Sequence, residues 1–205
     1  QYGPKVSALK CDVADQQAVE ACFKQTLATH GRVDGCFANA GIGGRPTQFD
    51  QMEKEEWTRI MEVNLDGVFH TFRCAAEHMR LRSEAGDPFG RLISTASLAA
   101  ISGQARGEHY AATKGGLISM NKAHAVEYAR HNVTAHTILP GWIETEMTQQ
   151  TFNSEKFVGN VMPRVPMRRW GQPEDFAGIA VYIMSSASSY HTSETFLIDG
   201  GYANF

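Results

Sequence analysis

The sequence predicts an α/β fold in which a parallel sheet is doubly wound, with helices on both faces. Two observations carry this. Short β-rich runs alternate with helical patterns through all 205 residues, with no repeats, linkers or low-complexity tracts. The polar and glycine-bearing segments fall where those runs end: Asp12, Asn39-Ala40-Gly41, Ser97 and Pro140-Gly141. Strands alternating with helices of this length form βαβ units. In such sheets ligands bind beyond the carboxyl ends of the strands. With 42% apolar and 20% charged residues, the length suits one domain over 1–205 with one sizeable core.

Each element has its own signal. Val6 to Cys11 reads as a first strand. Asp15 then caps a helix with the apolar stripe Val19, Cys22, Phe23 and Leu27, which Gly31 stops. Val33 to Ala38 is a second strand. The spacing Asp50-x-x-Glu53 predicts a capping box opening a long helical region that reaches about Arg82, and Ser83 to Gly90 is a loop. Arg91 to Thr95 is a third strand, His109 to His131 a helix, and Val133 to Leu139 a fourth strand halted by Pro140. Glu144 to Pro166 shows weak periodicity and is expected to be a mobile insertion. Pro173, suited to a first-turn position, opens a helix to about Ser185, and Thr195 to Ile198 closes as a strand.

Composition excludes several classes. A formal charge of −3 gives no electrostatic footprint for nucleic acid or a membrane surface. No run approaches the roughly 18 uninterrupted apolar residues of a membrane span, and Gln1 to Lys5 has no signal-peptide pattern. Cys11, Cys22, Cys36 and Cys74 form no C-x-x-C pair, which suits the reduced thiols of a cytoplasmic protein. The eight histidines form no H-E-x-x-H and no Cys/His cluster, so no metal site is expected. The chain lacks an initiator Met, so residues preceding Gln1 are expected in the gene product.

One helix carries Tyr110 and Lys114, whose spacing of four puts phenol and ammonium on one face. Alone, Y-x-x-x-K is a weak pattern. Ser97 precedes Tyr110 by thirteen residues at a strand end, and Asn64 sits within a helical region where asparagine is a poor choice. With Asn39-Ala40-Gly41, Pro140-Gly141-x-Ile143-x-Thr145 and Gly171-x-Pro173-Glu174-Asp175 in this order, the chain resembles the short-chain dehydrogenase/reductase family over essentially its whole length, and in particular its 3-oxoacyl-carrier-protein reductase-like members.

That resemblance implies a Rossmann-like domain and an oxidoreductase of CH–OH groups using NAD or NADP. Tyr110 would be the acid/base. Lys114 would lower the phenol's pKa, as a cation one turn away favours phenolate, and would bind the nicotinamide ribose. Ser97 would orient the substrate oxygen, and Asn64 would hold a proton-relay water. Asp12 and Val13 would meet the adenine, and Asn39, Ala40 and Gly41 the adenosine ribose. Pro140, Gly141, Ile143 and Thr145 would flank the nicotinamide, with the Ile143 backbone on its carboxamide. It further implies a small carbonyl or alcohol substrate and a homo-oligomer, dimer or tetramer, joined through the helices of Asp66–Arg82 and His109–His131. Gly115 and Gly116 fit close helix approach, and the aromatic C-terminus to Phe205 fits an interface.

The departures are specific. The family's opening strand, glycine-rich turn and helix, which binds the pyrophosphate and precedes the residue choosing NAD or NADP, is absent. The resemblance implies a preceding βαβ unit of roughly 50–60 residues. Gly41-Ile42-Gly43-Gly44 does not replace it, because Pro46 and a polar loop follow. The strand end reads Ser94-Thr95-Ala96-Ser97, so two serines compete, and the thirteen-residue spacing favours Ser97. Trp142, Trp170 and the segment Met147 to Met167 are expected to form a substrate lid. Two other classes bear comparison. A Ser97/His109 hydrolase would need a G-x-S-x-G elbow, which is missing. A non-catalytic cofactor-binding or oligomer-forming member of the same fold is argued against by the intact Ser97, Tyr110 and Lys114.

Overall fold

Asp15 begins the first helix as its short acidic side chain suits it to do. A computed structural model describes residues 5–205; Gln1 to Pro4, most of the stretch read for a signal peptide, lie outside it. Helix α1 spans Gln16–His30, with the Asp15 carboxylate accepting from the N–H groups of Gln17 (2.8 Å) and Ala18 (3.2 Å). Gly31, at φ 79°, takes the left-handed turn that ends the helix. Its apolar stripe packs on α3 (Gly67–Glu84), where Phe23 meets His78 edge-on.

Among the described residues four strands form one parallel sheet in sequence order: β1 (Gly35–Ala38), β2 (Gly90–Thr95), β3 (Val133–Pro140) and β4 (Thr195–Ile198). β2 and β3 lie at its centre and are buried on both faces, which explains their near-continuous apolar runs. Leu92, Ala135 and Leu139 face α3 and α4 (Glu108–Tyr128) together with Phe72, Met79 and Leu117. Ile93 and Ile138 face the other way, onto Ile179 and Ile183 of α7 (Ala177–Met184). The expected two-faced arrangement is present.

Three expectations need correcting. Val6 to Cys11 is not a strand: a parallel strand exists only through its ladder, and no neighbour pairs with this exposed segment among the described residues. Asp50 does not open a capping box. It lies in a 3₁₀ turn, Phe49–Gln51, and α2 begins later, at Lys54–Met61, without a side-chain cap. Its third residue, Glu56, instead accepts from the Arg45 N–H and pairs with Arg59. The insertion at 144–166 is structured, with α5 (Gln149–Phe152) and α6 (Glu155–Val161). Aromatic packing supplies the order that periodicity did not: Phe152 stacks on Trp170 at 4.3 Å, and Trp142 meets Phe157 and Tyr202 edge-on.

Between α2 and α3 the chain makes a π-helical turn, Glu62–Asp66, with Asn64 at its middle. Gly116 of α4 lies against this turn, where a Cβ would come 3.3 Å from Leu65. Its small size therefore has a reason within the chain. Gly141 is required more strictly, since a Cβ there would come 2.7 Å from the Asp199 backbone just beyond β4.

Candidate active site

The carboxyl ends of β1, β2 and β3 open into a groove of about 780 Å³. Beyond β2, Ser97 is extended and its hydroxyl accepts from the Ala99 N–H at 3.1 Å, starting the turn Leu98–Ala100. α4 starts eleven residues after Ser97, and its first turns bring Tyr110 and Lys114 to the same wall as Ser97. Ser94 is fully buried instead, its oxygen accepting from the Asn121 amide at 2.8 Å. Of the two serines only Ser97 reaches the groove.

Lys114 is 4% exposed, and its ammonium donates to the Thr95 carbonyl at 2.7 Å. Burial pushes it down from 10.5 to about 8, so it stays charged at neutral pH. Burial pushes the Tyr110 phenol up, and contact with the Ser97 hydroxyl opposes that rise. The expected lowering of the phenol by Lys114 is therefore not the balance found. The ammonium sits 5.6 Å from the centre of the Tyr110 ring and is bound to a backbone oxygen, while desolvation favours the neutral phenol.

Asn64 is fully buried behind this wall, and both ends of its amide engage Ile42. Its oxygen accepts from the Ile42 N–H at 2.8 Å and its nitrogen donates to the Ile42 carbonyl at 2.9 Å. The side chain is thus not turned toward a groove water. It fixes Gly41 in place, where a Cβ would come 3.4 Å from Lys114 Nζ.

Asn39, Ala40, Gly41, Pro140, Gly141, Ile143 and Thr145 all line the groove. Val13 joins Asn39 and Ala40 around a smaller adjoining hollow of about 100 Å³. Asp12 does not line either space; one of its carboxylate oxygens accepts from the Ala14 N–H at 3.0 Å, so it acts as a turn cap. Sequence reasoning missed two positioning residues. His70 holds the Val13 carbonyl through Nδ1 at 3.1 Å. Thr148 donates to the Ile143 carbonyl at 2.6 Å and accepts from the Thr145 N–H at 3.0 Å. A lone histidine carries no signal, whereas Thr145-x-x-Thr148 is a readable pattern.

The donor set fits a nicotinamide nucleotide at two places. Lys114 has three N–H donors and the Thr95 carbonyl takes one, leaving donors for ribose hydroxyls. Glycine at 41 leaves room beside the Lys114 ammonium, which a Cβ there would approach to 3.4 Å. No glycine-rich strand–turn–helix for a pyrophosphate occurs among the described residues. Nor do those residues contain a His/Cys/Asp/Glu group able to hold a metal.

Comparison with known proteins agrees with this geometry. A family model described as enoyl-(acyl carrier protein) reductase matches residues 1–203. The chain is 31% identical over 200 residues to 2-dehydro-3-deoxy-D-gluconate 5-dehydrogenase of Escherichia coli (strain K12), covering 98% of this chain and 77% of that protein. It is 34% identical over 200 residues to a 3-oxoacyl-(acyl-carrier-protein) reductase of Chlamydia pneumoniae, covering 97% and 77%. Among solved structures, a gluconate 5-dehydrogenase from Burkholderia cenocepacia J2315, in complex with NADP and tartrate, superposes with a TM-score of 0.88 at 32% identity, over 95% of this chain and 74% of that one. A 3-ketoacyl-(acyl-carrier-protein) reductase from Brucella melitensis complexed with NADH gives 0.89 at 29% identity, over 98% and 80%. With Ser97, Tyr110 and Lys114 on one groove wall and matches along nearly the whole chain, the protein belongs to the short-chain dehydrogenase/reductase family of NAD(P)-dependent oxidoreductases.

Proposed function

We propose that the groove interconverts a small-molecule carbonyl and its secondary alcohol, with Tyr110 as acid/base. The observation that carries this reading is that Ser97 and Tyr110 line one groove beside the buried Lys114 ammonium. Bound NAD(H) or NADP(H) supplies the hydride. Burial keeps the Tyr110 phenol protonated, which is the form that donates a proton to a forming alkoxide. Ser97 donates a hydrogen bond to the same oxygen and sets its direction. Lys114 binds ribose hydroxyls with the donors that Thr95 leaves over, and its charge favours the phenolate once the proton has gone. Asn64 holds the Gly41–Ile42 wall. A relay water then belongs at the main chain of the π turn, where a peptide group leaves the regular ladder. Val13, Asn39, Ala40 and Gly41 take the adenosine end; Pro140, Gly141, Ile143 and Thr145 take the nicotinamide end, with Thr148 fixing the last two.

We further assign the protein to the cytoplasm, in keeping with its four free thiols. We also assign it to a homo-oligomer, in keeping with the exposed Phe69 on α3 and Val126 on α4 and with Phe205, which is 69% exposed at the C-terminus. Among the described residues no helix is long and apolar enough to cross a membrane.

The test is Tyr110→Phe, which keeps the ring and removes the transferable proton. NADH or NADPH binding, followed by nucleotide fluorescence, is expected to persist while turnover over a panel of ketones and alcohols falls by about 10²-fold or more. Ser97→Ala is expected to lower turnover in the same way. A Phe variant reducing carbonyls at the parent rate would remove Tyr110 from the chemistry.

A further inference from the structure

The segment before Asp12 and the second turn of α1 bring two thiols together. Cys11 is exposed and Cys22 is half-buried. The Cys22 sulfur lies 3.6 Å from the Lys10 carbonyl oxygen, beside the peptide that leads into Cys11. Cys11 turns its own sulfur along the chain, 3.8 Å from the Asp12 carbonyl, and the Cys22 sulfur is near enough to help raise the Cys11 thiol. Asp12 follows directly: its carbonyl accepts from the Asp15 N–H and its side chain from Ala14, so the turn between the two cysteines is fixed. Burial also raises the other two thiols, holding Cys36 on β1 up to about 12 and raising Cys74 on α3.

We propose that Cys11 and Cys22 form a reversible intramolecular disulfide, a modification site on the edge that carries Asp12 and Val13. The oxidant is a low-molecular-weight disulfide such as oxidised glutathione. The Cys22 thiolate attacks one sulfur of that disulfide, releasing the first thiolate and leaving a mixed disulfide on Cys22. Cys11 then attacks the Cys22 sulfur and expels the second. Two protein thiols thereby lose two protons and two electrons, and one small disulfide becomes two small thiols. The order follows from the pair itself. Partial desolvation first, and then the neighbouring Cys22 sulfur, hold the Cys11 proton up to about 11. The second of these influences ends once Cys22 is capped. A contact across a short, already formed turn favours closure over a lasting mixed disulfide, because little further chain ordering is required.

Trypsin cuts after Lys10 and Lys24, so both cysteines leave in one peptide, Cys11 to Lys24. The folded chain is incubated with oxidised glutathione, blocked with an alkylating agent, digested without reduction and weighed. The expected Cys11–Lys24 peptide carries no alkyl group or glutathione and is lighter by two hydrogen atoms. Dithiothreitol before blocking is expected to restore two alkyl groups. In Cys22→Ser the same peptide is expected to keep one alkyl group or one glutathione. Three wild-type results would overturn the proposal: two alkyl groups after oxidation, glutathione retained without ring closure, or a cross-link to the peptides holding Cys36 or Cys74. The readout is independent of catalysis, so it stands or falls apart from the role of Tyr110.

Discussion

Replacing Lys114 with methionine should remove activity and yet leave the protein at least as stable at neutral pH. Lys114 is almost fully buried, and burial lowers its ammonium from 10.5 to about 8. One pKa unit corresponds to about 1.4 kcal/mol, so holding this charge costs the folded state about 2–4 kcal/mol. The sign follows from linkage. Between 10.5 and about 8 the unfolded chain keeps a proton that the folded chain has released. Stability therefore falls as pH drops through that window and is level below it. Methionine has a similar volume and no charge to desolvate. Its cost is the Thr95 carbonyl, which loses its 2.7 Å partner, at about 1–3 kcal/mol for a buried acceptor left unpaired. The expected net change at neutral pH runs from none to about 2 kcal/mol in favour of the variant, with turnover lower by about 10²-fold or more. Urea denaturation of both proteins, at neutrality and at several pH values up to 10.5, is the assay. The advantage of the variant should shrink and then reverse as pH rises, since the parent alone gains stability there. A difference that stays constant across the window would refute the view of Lys114 as a desolvated cation, whatever happened to activity.

Three further outcomes are expected. Ser94→Ala should leave turnover within about 3-fold and cost about 1 kcal/mol in urea denaturation, the usual net worth of one hydrogen bond; a collapse of activity would move the substrate-orienting role from Ser97 to Ser94. His136 is fully buried, and burial, followed by the charges of Arg91 and His191, lowers it from 6.5 to about 4. Its share of stability is complete above 6.5 and declines by about 2–4 kcal/mol as pH falls toward 4, so the stability curves of the parent and His136→Gln should converge on acidification, and parallel curves would contradict this. Sedimentation at micromolar concentration should show a dimer or tetramer, and a clean monomer with full activity would dismiss the assembly while leaving the chemistry intact.

The sequence by itself determined what depends on neighbours along the chain. Asp15 and Gly31 bound α1 because a cap and a left-handed turn are set by one or two residues. The alternation of strands with helices declared a parallel sheet covered on both faces. The spacing of Tyr110, Lys114 and Ser97 placed three groups on one wall, since a helical turn and a strand end have fixed geometry. Whatever depends on a partner remote in sequence was decided only by the tertiary structure. Val6 to Cys11 has a strand's composition but no ladder partner among the described residues. The side chain of Asn64 is fully buried and clamps Ile42, twenty-two residues away. Tyr110 bears the cation at the predicted spacing, yet desolvation raises its pKa. The residues at 144–166 gain their order from aromatic rings that reach Trp170 and Tyr202. Local signals are governed by covalent geometry and short-range hydrogen bonding, which recur wherever the residues do. Burial, ladder pairing and charge balance depend on what the rest of the chain brings within a few ångströms, and only the folded molecule sets that.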